Sequence, residues 1–559
     1  MDESAAQTRV EWHEWGQEPF DIARRTGKPV LLSLSATWCS HCHEMDRETY
    51  DEPRIAANVN DGFVPVRVDV DRHPRVRDRY NMGGFPSTVF LTHEGTVISG
   101  AGYLGEGGMR QAIDSVREVW DAKGASAGRV PRAVQGTEPP AGELTDDVET
   151  MMDGQLLASY DERNGGWGEA EKFPMPRTIE FALKREREQA LRSLNAVSAN
   201  LLDDFDGGFF RFAANPDWSE THHEKMLDTN AALVRAFANA YLSTGKEEYR
   251  QPAERGVDFL TTTLWTGEAF AGSQAAGENR SYYAMDPEDR DAADEPPVDE
   301  TVFADWNALA VDALLTYYAY TDEERARQYA ERALDYLLDE LVDDGVVTHF
   351  QTIGDGDEDD IGGGPETGLL VDHARVVAAL TRAHQVLGRD TLDTAQAVAD
   401  HAIETLRDGD SFVDGPRTGA GLLDQPLRPL DGNVEFADAL CDLAVLTGED
   451  QYRTVASETL ADFAGAADRF GVRVAGYGSV VSRLLGDPLV IEVTSEAGSD
   501  LHRAALRMAD HEKVIVPDAG VVEDSDVEDD VAYVHVGDYT ADPAETPAEL
   551  AERVSDSLH

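Results

Sequence analysis

The chain has 559 residues, 41% of them hydrophobic, and this length exceeds one ordinary hydrophobic core, so we expect two or three domains. Its 108 acidic and 48 basic residues give a formal charge of −60, which excludes nucleic acid as a partner because phosphate backbones need a basic surface. No run approaches the roughly 20 apolar residues of a membrane span, and the N-terminal segment lacks a signal-peptide pattern, so we predict a cytoplasmic protein without membrane contact.

The first predicted elements alternate strands and helices. The apolar run VLLSLSA predicts a buried parallel strand, and the following ATWCSHCHEM predicts a turn that opens into a helix. Cys39 then lies at the helix N-terminus, whose partial positive charge favours the thiolate that attacks a disulfide. FVPVRVDVD predicts a second strand, HPRVRDRYNM a short helix, and GGFPSTVFLTHEGTVISGAGYL two antiparallel strands.

This βαβαββα order, with a Cys-x-x-Cys pair after the first buried strand, resembles the thioredoxin fold over residues 10–122. The resemblance implies that Cys39 is the attacking thiolate, Cys42 the resolving thiol and Pro86 a cis proline beside them. The neighbouring side chains are candidates for contact with a protein or small-molecule thiol or disulfide: Trp38, His43 and Phe85.

Three other interpretations of the CSHCH segment remain open. It matches the attachment pattern of c-type haem, although that chemistry generally requires export. A zinc site could use Cys39, Cys42 and either His41 or His43, and the two cysteines could also be merely structural. We favour redox-active thiols and predict no cofactor and no bound metal. Cys441 is the third cysteine, and three are too few for a disulfide framework.

From residue 143 the pattern changes to paired amphipathic helices. Four helix pairs are clear, beginning at DTNAALVRAFANAYLSTG, DWNALAVDALLTYYAY, GLLVDHARVVAALTRAHQVLG and NVEFADALCDLAVLTG. Helices near 145–159, 177–190, 191–204 and 475–485 supply two further pairs. Six such hairpins predict an (α/α)6 toroid, and Gly-rich aromatic loops between them suit a sugar-stacking cavity or simply close the toroid mouth.

Taken together, Trp12, WCSHCHEM, GGFPSTVFLT, NGGWGEAEKFPMP, HHEKMLDTNAAL and DWNALAV resemble the family of spermatogenesis-associated protein 20. The resemblance implies a thioredoxin-like domain joined to a six-hairpin barrel similar to glycosidases and N-acylglucosamine 2-epimerase. Three features depart from the family. The segment before Gly83 is shorter, His223 replaces a phenylalanine, and the C-terminal cysteines are absent.

In the predicted toroid, the N-terminal ends of the inner helices converge on one cavity. Acids and histidines there could act as general acid and base on a sugar, with Trp167 or Trp306 stacking on its face. Asp228, Asp305 and Asn433 are alternatively helix N-caps. The candidate sugar-site residues are Trp167, His222, His223, Glu224, Lys225, Asp305, Trp306, Asn307, Asp372 and His373, with Glu435 beside them.

We therefore predict a thioredoxin-like domain at 1–125, a linker at 126–142, the toroid at 143–487 and a small α/β unit at 488–559. The favoured function is a thiol-disulfide oxidoreductase fused to a carbohydrate-binding barrel. The alternatives are an epimerase-like or glycosidase-like enzyme with a docking thioredoxin-like domain, and a non-catalytic scaffold. In the tail, EDSDVEDD is expected to be a solvated loop.

The acidic surplus is spread along the whole chain, and only seven of the basic residues are lysine. This composition is typical of a protein from a salt-accumulating halophile, because concentrated salt screens the repulsion between surface carboxylates. Intrinsic disorder is the rival interpretation, and the regular apolar periodicity disfavours it.

Overall fold

The computed structural model describes residues 8–135, 138–277, 282–352, 364–518 and 530–558. It contains a thioredoxin-like domain, a helical toroid and a C-terminal α/β unit, as the sequence predicts. The predicted acidic loop EDSDVEDD falls outside the described residues except for Asp530. Among the described residues, no helix is both long and apolar enough to cross a membrane.

The N-terminal domain is built on one four-stranded sheet. Strand β1 lies in the centre, parallel to β2 and antiparallel to β3, and β4 forms the outer edge beside β3. All five residues of β3 are buried, which fits a strand covered on both faces. The elements are α1 (Gln17–Thr26), β1 (Val30–Ser35), α2 (Ser40–Met45), α3 (Pro53–Gly62), β2 (Val64–Asp69), α4 (Pro74–Tyr80), β3 (Ser87–Leu91), β4 (Val97–Ala101) and α5 (Glu106–Lys123).

The central region is the predicted toroid of helix hairpins. Its helices are α6 (Asp147–Ser159), α7 (Pro176–Arg185), α8 (Arg187–Leu201), α9 (Leu227–Thr244), α10 (Glu247–Thr262), α11 (Pro287–Arg290), α12 (Ala304–Thr321), α13 (Glu324–Tyr336), α14 (Leu370–Leu387), α15 (Leu392–Leu406), α16 (Leu430–Thr447), α17 (Asp450–Ala461) and α18 (Gly476–Leu485). Short strands in its loops are β5 (Phe212–Ala213), β6 (Thr221–His222), β7 (Lys225–Met226), β8 (Ser273–Gln274), β9 (Val298–Asp299), β10 (Thr301–Phe303), β11 (Val342–Asp343), β12 (Val346–Val347), β13 (Phe350–Thr352), β14 (Arg407–Asp408) and β15 (Ser411–Phe412).

Six inner helices, α7, α9, α12, α14, α16 and α18, pack side by side into a closed ring. Inner helices such as α12 are Ala-rich and buried on most faces, whereas outer helices such as α13 are buried on one stripe only. The ring closes because α18, the last helix of the toroid, packs against both α6 and α7. The sixth helix pair therefore consists of the first helix, α6, and the last helix, α18.

Left-handed residues end several inner helices. Gly245, Gly388 and Gly448 cap α9, α14 and α16 at φ values of 65°, 64° and 71°, and Asp322 takes the same role on α12 at 59°. Glycine suits these positions because it lacks the Cβ that disfavours positive φ. Each cap turns the chain sharply into the next outer helix.

The C-terminal unit has a second four-stranded sheet. Strand β16 is parallel to β17 and antiparallel to β18, and β19 pairs with β18 at the edge. The order β17-β16-β18-β19 repeats the β2-β1-β3-β4 order of the N-terminal sheet. Its elements are β16 (Leu489–Val493), α19 (Asp500–Leu506), β17 (Val514–Val516), β18 (Ala532–Val536), β19 (Tyr539–Thr540) and α20 (Pro547–Ser557).

Candidate functional site

The two N-terminal cysteines form a disulfide at the start of α2. Cys39 is the N-cap residue, and its sulfur accepts a hydrogen bond from the Cys42 amide at 3.2 Å. The peptide bond between Phe85 and Pro86 is cis, as the thioredoxin resemblance implies. Both sulfur-bearing residues are buried, with Cys39 5% and Cys42 2% exposed, so a partner has to reach them through a narrow approach.

The loop before Pro86 is the segment that the thioredoxin resemblance places beside the dithiol. The Asn81 side-chain oxygen accepts hydrogen bonds from the amides of Gly83 and Gly84 at 2.8 and 2.9 Å, which holds both glycines at positive φ. Both glycines are exposed, and Phe85 is half-buried. Tyr103 is 41% exposed, and its ring lies beside that of His41 in α2.

Trp38, directly before Cys39, is held from two directions. Its indole Nε1 donates to Asp71 Oδ2 at 2.6 Å, and the Arg211 guanidinium of the toroid lies 4.1 Å from its ring centre. Its ring also meets that of Phe85 edge to face. Burial, with the nearby Asp69 carboxylate, raises the pKa of Asp71 to about 7. The toroid therefore contacts the dithiol loop directly.

Thr37 precedes the two cysteines and His43 follows them, and the two side chains have different surroundings. Thr37 donates to Asp299 of the toroid at 2.7 Å, which adds a second direct contact between the two domains. His43 lies half-buried in α2. Burial and the nearby Arg47 and Arg67 lower the pKa of His43, so its ring is neutral near pH 7.

The thioredoxin-like domain is joined to the toroid mouth by buried arginines. Arg79 is fully buried and pairs with Asp414, at 2.6 Å between Nη1 and Oδ2. Arg75 contacts the same carboxylate at 3.4 Å, and Arg72 donates to Thr301 at 2.9 Å. We call this surface, formed by Arg72, Arg75 and Arg79 with Thr301 and Asp414, the interdomain seam.

The HHEKM segment divides between two environments. His222 Nδ1 and the Arg211 guanidinium each lie 3.5 Å from Glu224 Oε1, which brings this group next to Trp38. Burial opposes ionisation of Glu224, but the hydrogen bond from His222 and the charge of Arg211 outweigh it and lower its pKa. The His223 ring stacks on Tyr283 with 5.4 Å between the ring centres.

Lys225 corrects the sequence-based interpretation. It is fully buried and donates to Asp203 and to the Gly207 carbonyl at 2.8 and 2.7 Å, so it supports a loop instead of facing a cavity.

Several candidates at the inner-helix N-termini are structural. Asn307 binds the Phe270 carbonyl and amide and the Phe303 carbonyl, and Asn433 makes the same contacts with Phe412 and Pro429. His373 occupies the same position in α14 and hydrogen-bonds the Leu369 carbonyl at 2.8 Å. These side chains fasten each inner helix to the preceding loop.

The N-cap interpretation of Asp228, Asp305 and Asn433 is also wrong. The N-cap residues of α9, α12 and α16 are Met226, Phe303 and Pro429, and none of them makes a side-chain cap bond. Asp228 and Asp305 instead lie in the first turn of their helices, which turns their carboxylates toward the ring axis and its arginines.

The two tryptophans proposed to stack on a sugar pack against protein rings. Trp167 is 2% exposed and meets Tyr160 edge to face, and Trp306 is 9% exposed and lies against Phe303. This outcome corrects the stacking interpretation for Trp167.

Sequence reasoning missed His349, which links the two domains. Its Nε2 lies 2.9 Å from the Asp71 carbonyl, and its Nδ1 lies 2.9 Å from Asp372 Oδ1. Burial opposes its charge, but the Asp372 carboxylate outweighs burial and raises the pKa of His349 to about 9. His349 follows a two-residue strand with no periodic pattern, so no local signal marked it.

Ion pairs fill the axis of the toroid below these residues. Arg235 bridges Glu180 and Asp312 at 2.8 and 2.6 Å. Arg375 pairs with Glu435 at 2.7 Å and with Asp305 at 2.9 Å. Charged side chains therefore line the axial cavities, where a sugar-stacking site would place aromatic faces.

The fold and the site define a thioredoxin-like dithiol domain fused to an (α/α)6 toroid. Residues 3–134 match the family model Thioredox_DsbH, described as "Protein of unknown function, DUF255". The chain is 29% identical over 294 residues to human spermatogenesis-associated protein 20, covering 46% of this chain and 37% of that protein. These matches confirm the family resemblance, and the matched region spans little more than a third of the human relative.

Two further similarities concern the separate domains. An 88-residue segment is 34% identical to thiol:disulfide interchange protein DsbD 1 of Pseudomonas aeruginosa, covering 15% of each chain. A sugar epimerase structure from a ruminal bacterium matches 56% of this chain and 84% of its own, with 11% identity and a TM-score of 0.45.

Proposed function

We propose that the chain is a thiol-disulfide oxidoreductase whose reactive pair is Cys39 and Cys42. The observation that supports this most strongly is the position of Cys39 at a helix N-cap, with the Cys42 amide directed at its sulfur. When the disulfide is reduced, that amide and the helix N-terminus stabilise a Cys39 thiolate. The thioredoxin resemblance places the cis Pro86, together with the exposed glycines that precede it, beside this sulfur.

The reaction proceeds by two thiol-disulfide exchanges. The Cys39 thiolate attacks one sulfur of a partner disulfide, forms a mixed disulfide and releases the partner's other sulfur as a thiolate. The Cys42 thiolate then attacks Cys39, restores the intramolecular disulfide and releases the reduced partner. An external dithiol returns the pair to its reduced form, so two electrons pass from that dithiol to the partner.

The toroid contributes to partner recognition in this proposal. Thr37 and Trp38 contact its loops through Asp299 and Arg211, so groups of the toroid border the dithiol site. Its axis is occupied by ion pairs, which favours positioning of a partner over turnover of a sugar. We also place the protein in a reducing, salt-rich cytoplasm, because it has three cysteines and a charge of −60.

Mixed-disulfide trapping tests the proposal. Cys42→Ser should accumulate a covalent adduct with disulfide-containing peptides, because the resolving thiol is missing, and a reductant should release it. The double variant Cys39→Ser with Cys42→Ser is the matched control and should trap nothing. Cys441→Ser is a second control, since burial raises the pKa of Cys441 to about 12 and keeps it a thiol. Equal trapping by Cys42→Ser and the double variant would contradict the proposal.

A further inference from the structure

Three metal-ligating side chains converge at the toroid mouth, under the thioredoxin-like domain. Asp305 lies in the first turn of α12, Asp372 lies in the first turn of α14, and His349 lies between β12 and β13. One potential ligand atom from each residue lies within 4.8 Å of the other two. The three residues are 4%, 0% and 2% exposed, respectively, so the cluster is enclosed by protein.

Asp305 has one oxygen that the surrounding protein does not satisfy. Its Oδ2 accepts from Arg375 at 2.9 Å, but its Oδ1 is buried and has no hydrogen-bond partner among the described residues. A buried carboxylate oxygen without a donor or a cation is costly, because it has lost its water. A cation within the cluster would provide the missing partner.

The geometry of His349 points to the same place. Its Nε2 faces the Asp71 carbonyl, which can only accept, so Nε2 carries the hydrogen. Its Nδ1 then faces both oxygens of Asp372 at 2.9 and 3.1 Å, and these oxygens are also acceptors. A proton or a metal ion has to lie near these atoms. Metal-bound histidines commonly donate their other N–H to a carbonyl, as here.

The donor set indicates the kind of ion. One imidazole nitrogen and two carboxylates suit divalent first-row transition metals, whereas calcium and magnesium prefer oxygen alone. Metal–ligand bonds of about 2.1 Å place neighbouring donor atoms about 3 Å apart, which agrees with the spacing of His349 and Asp372.

We propose that Asp305, His349 and Asp372 form a binding site for one divalent transition-metal ion of the Mn²⁺ or Zn²⁺ class. The two carboxylates neutralise the ion, and Arg375 remains paired with Glu435 beside it. Because His349 holds the Asp71 carbonyl, the bound ion also fixes the contact between the toroid and the thioredoxin-like domain. The site does not depend on the proposed thiol exchange.

Manganese titration of the full-length chain tests this site. The protein is stripped with a chelator, exchanged into multimolar KCl to suppress weak binding by surface carboxylates, and titrated with Mn²⁺ under electron paramagnetic resonance. We expect one tight equivalent whose spin-echo spectrum shows coupling to a histidine ¹⁴N nucleus. Competition with Zn²⁺ should displace the manganese stoichiometrically.

Two conservative variants and a matched control assign the ligands. Asp305→Asn and Asp372→Asn should each weaken Mn²⁺ binding by about 100-fold or more, since even outer-shell changes cost 10- to 100-fold. Asp431→Asn alters the second residue of α16, the position that Asp305 holds in α12, and should bind like the wild type.

Three results would overturn the proposal: no tight equivalent, a tight equivalent without nitrogen coupling, or tight binding that survives in both variants. The first result would assign the position between His349 and Asp372 to a proton. The nitrogen coupling is measured on the unaltered chain, so the test stands even if a variant fails to fold.

Discussion

The N-terminal and C-terminal sheets share one topology but place different chemistry at the same point. In each, a central strand is parallel to one neighbour and antiparallel to the other, and a helix follows the central strand. Cys39 caps that helix in the first sheet and accepts from the Cys42 amide at 3.2 Å. Ser499 caps it in the second and accepts from the His502 amide at 3.2 Å.

The loops that contain Cys39 and Ser499 therefore have different roles. His502 binds the Gln385 carbonyl at 2.8 Å and so anchors the C-terminal unit to the far end of α14. The Cys39 loop is also held by the toroid, through Thr37 and Asp299, but at its cap it carries a disulfide in place of an anchoring side chain. In both sheets this topology supplies a helix N-terminus, and the cap residue and the residue three positions later determine whether it carries a thiol pair or an anchoring side chain.

Removing the attacking sulfur should have the largest effect. Cys39→Ser is expected to lower the rate of disulfide exchange by on the order of 10³-fold or more, because the nucleophile is lost. Stopped-flow reduction of a disulfide peptide measures this rate. Ser499→Ala removes the equivalent cap of the second sheet and should leave the rate unchanged, with a stability loss of about 1 kcal/mol. Equal rate losses in both variants would show that the exchange does not depend specifically on the Cys39 sulfur.

The interdomain seam should respond next. Arg79→Met removes the 2.6 Å partner of the buried Asp414 and leaves only the longer contact from Arg75, so it should destabilise the seam by about 3 to 5 kcal/mol. Limited proteolysis and thermal melting would report earlier release of the N-terminal domain. Arg110→Met breaks an exposed pair with Glu106 and should cost less than about 1 kcal/mol. Unchanged melting of Arg79→Met would show that the seam contributes little to stability.

Asp71, which accepts from Trp38, gives the stability of the folded chain a pH dependence. Burial and Asp69 raise its pKa to about 7, so the folded chain binds a proton here that the unfolded chain releases near pH 4. The contribution to the free energy of unfolding therefore falls as pH rises from about 4 to 7. Asp71→Asn should remove this pH dependence, which amounts to on the order of 4 kcal/mol between about pH 4 and 7. If the free energy of unfolding of the wild type and of Asp71→Asn changed with pH by the same amount, this assignment would be contradicted.

The anchor of the second sheet should give the smallest change. His502→Phe loses the bond to Gln385 and should cost about 1 to 3 kcal/mol in the stability of the C-terminal unit. Hydrogen exchange in β16 and β17 would detect the loosening. The exchange rate at Cys39 should not change, and a decrease there would show that the two ends of the toroid are coupled.

Much of the fold is predictable because its signals are local. The run before Cys39 becomes β1, the Ala-rich periods become inner helices, and the Phe85–Pro86 bond is cis as the resemblance implies. The pattern of residues 488–559 predicts a small α/β unit, and β16, β17, β18 and α20 confirm this prediction. The repeat of the N-terminal strand order was not visible, since strand pairing is a tertiary property.

The site was harder to predict because its parts are distant in sequence. His349 meets Asp71 across 278 positions, and Arg211 reaches Trp38 only after the two domains dock. The acidic residues at the helix starts were recognised, but their arginine partners were not. Periodicity locates an element, whereas the partner of a buried charge depends on which elements pack together.

The proposed function depends most on reversible formation of the disulfide between Cys39 and Cys42. The most direct test is a thiol-labelling redox titration of the unaltered chain by mass spectrometry, in multimolar KCl, with the buried Cys441 as internal reference. We predict a two-electron transition between roughly −200 and −300 mV confined to Cys39 and Cys42. Thiols that stay labelled at every potential, or a disulfide that no dithiol reduces, would contradict the account.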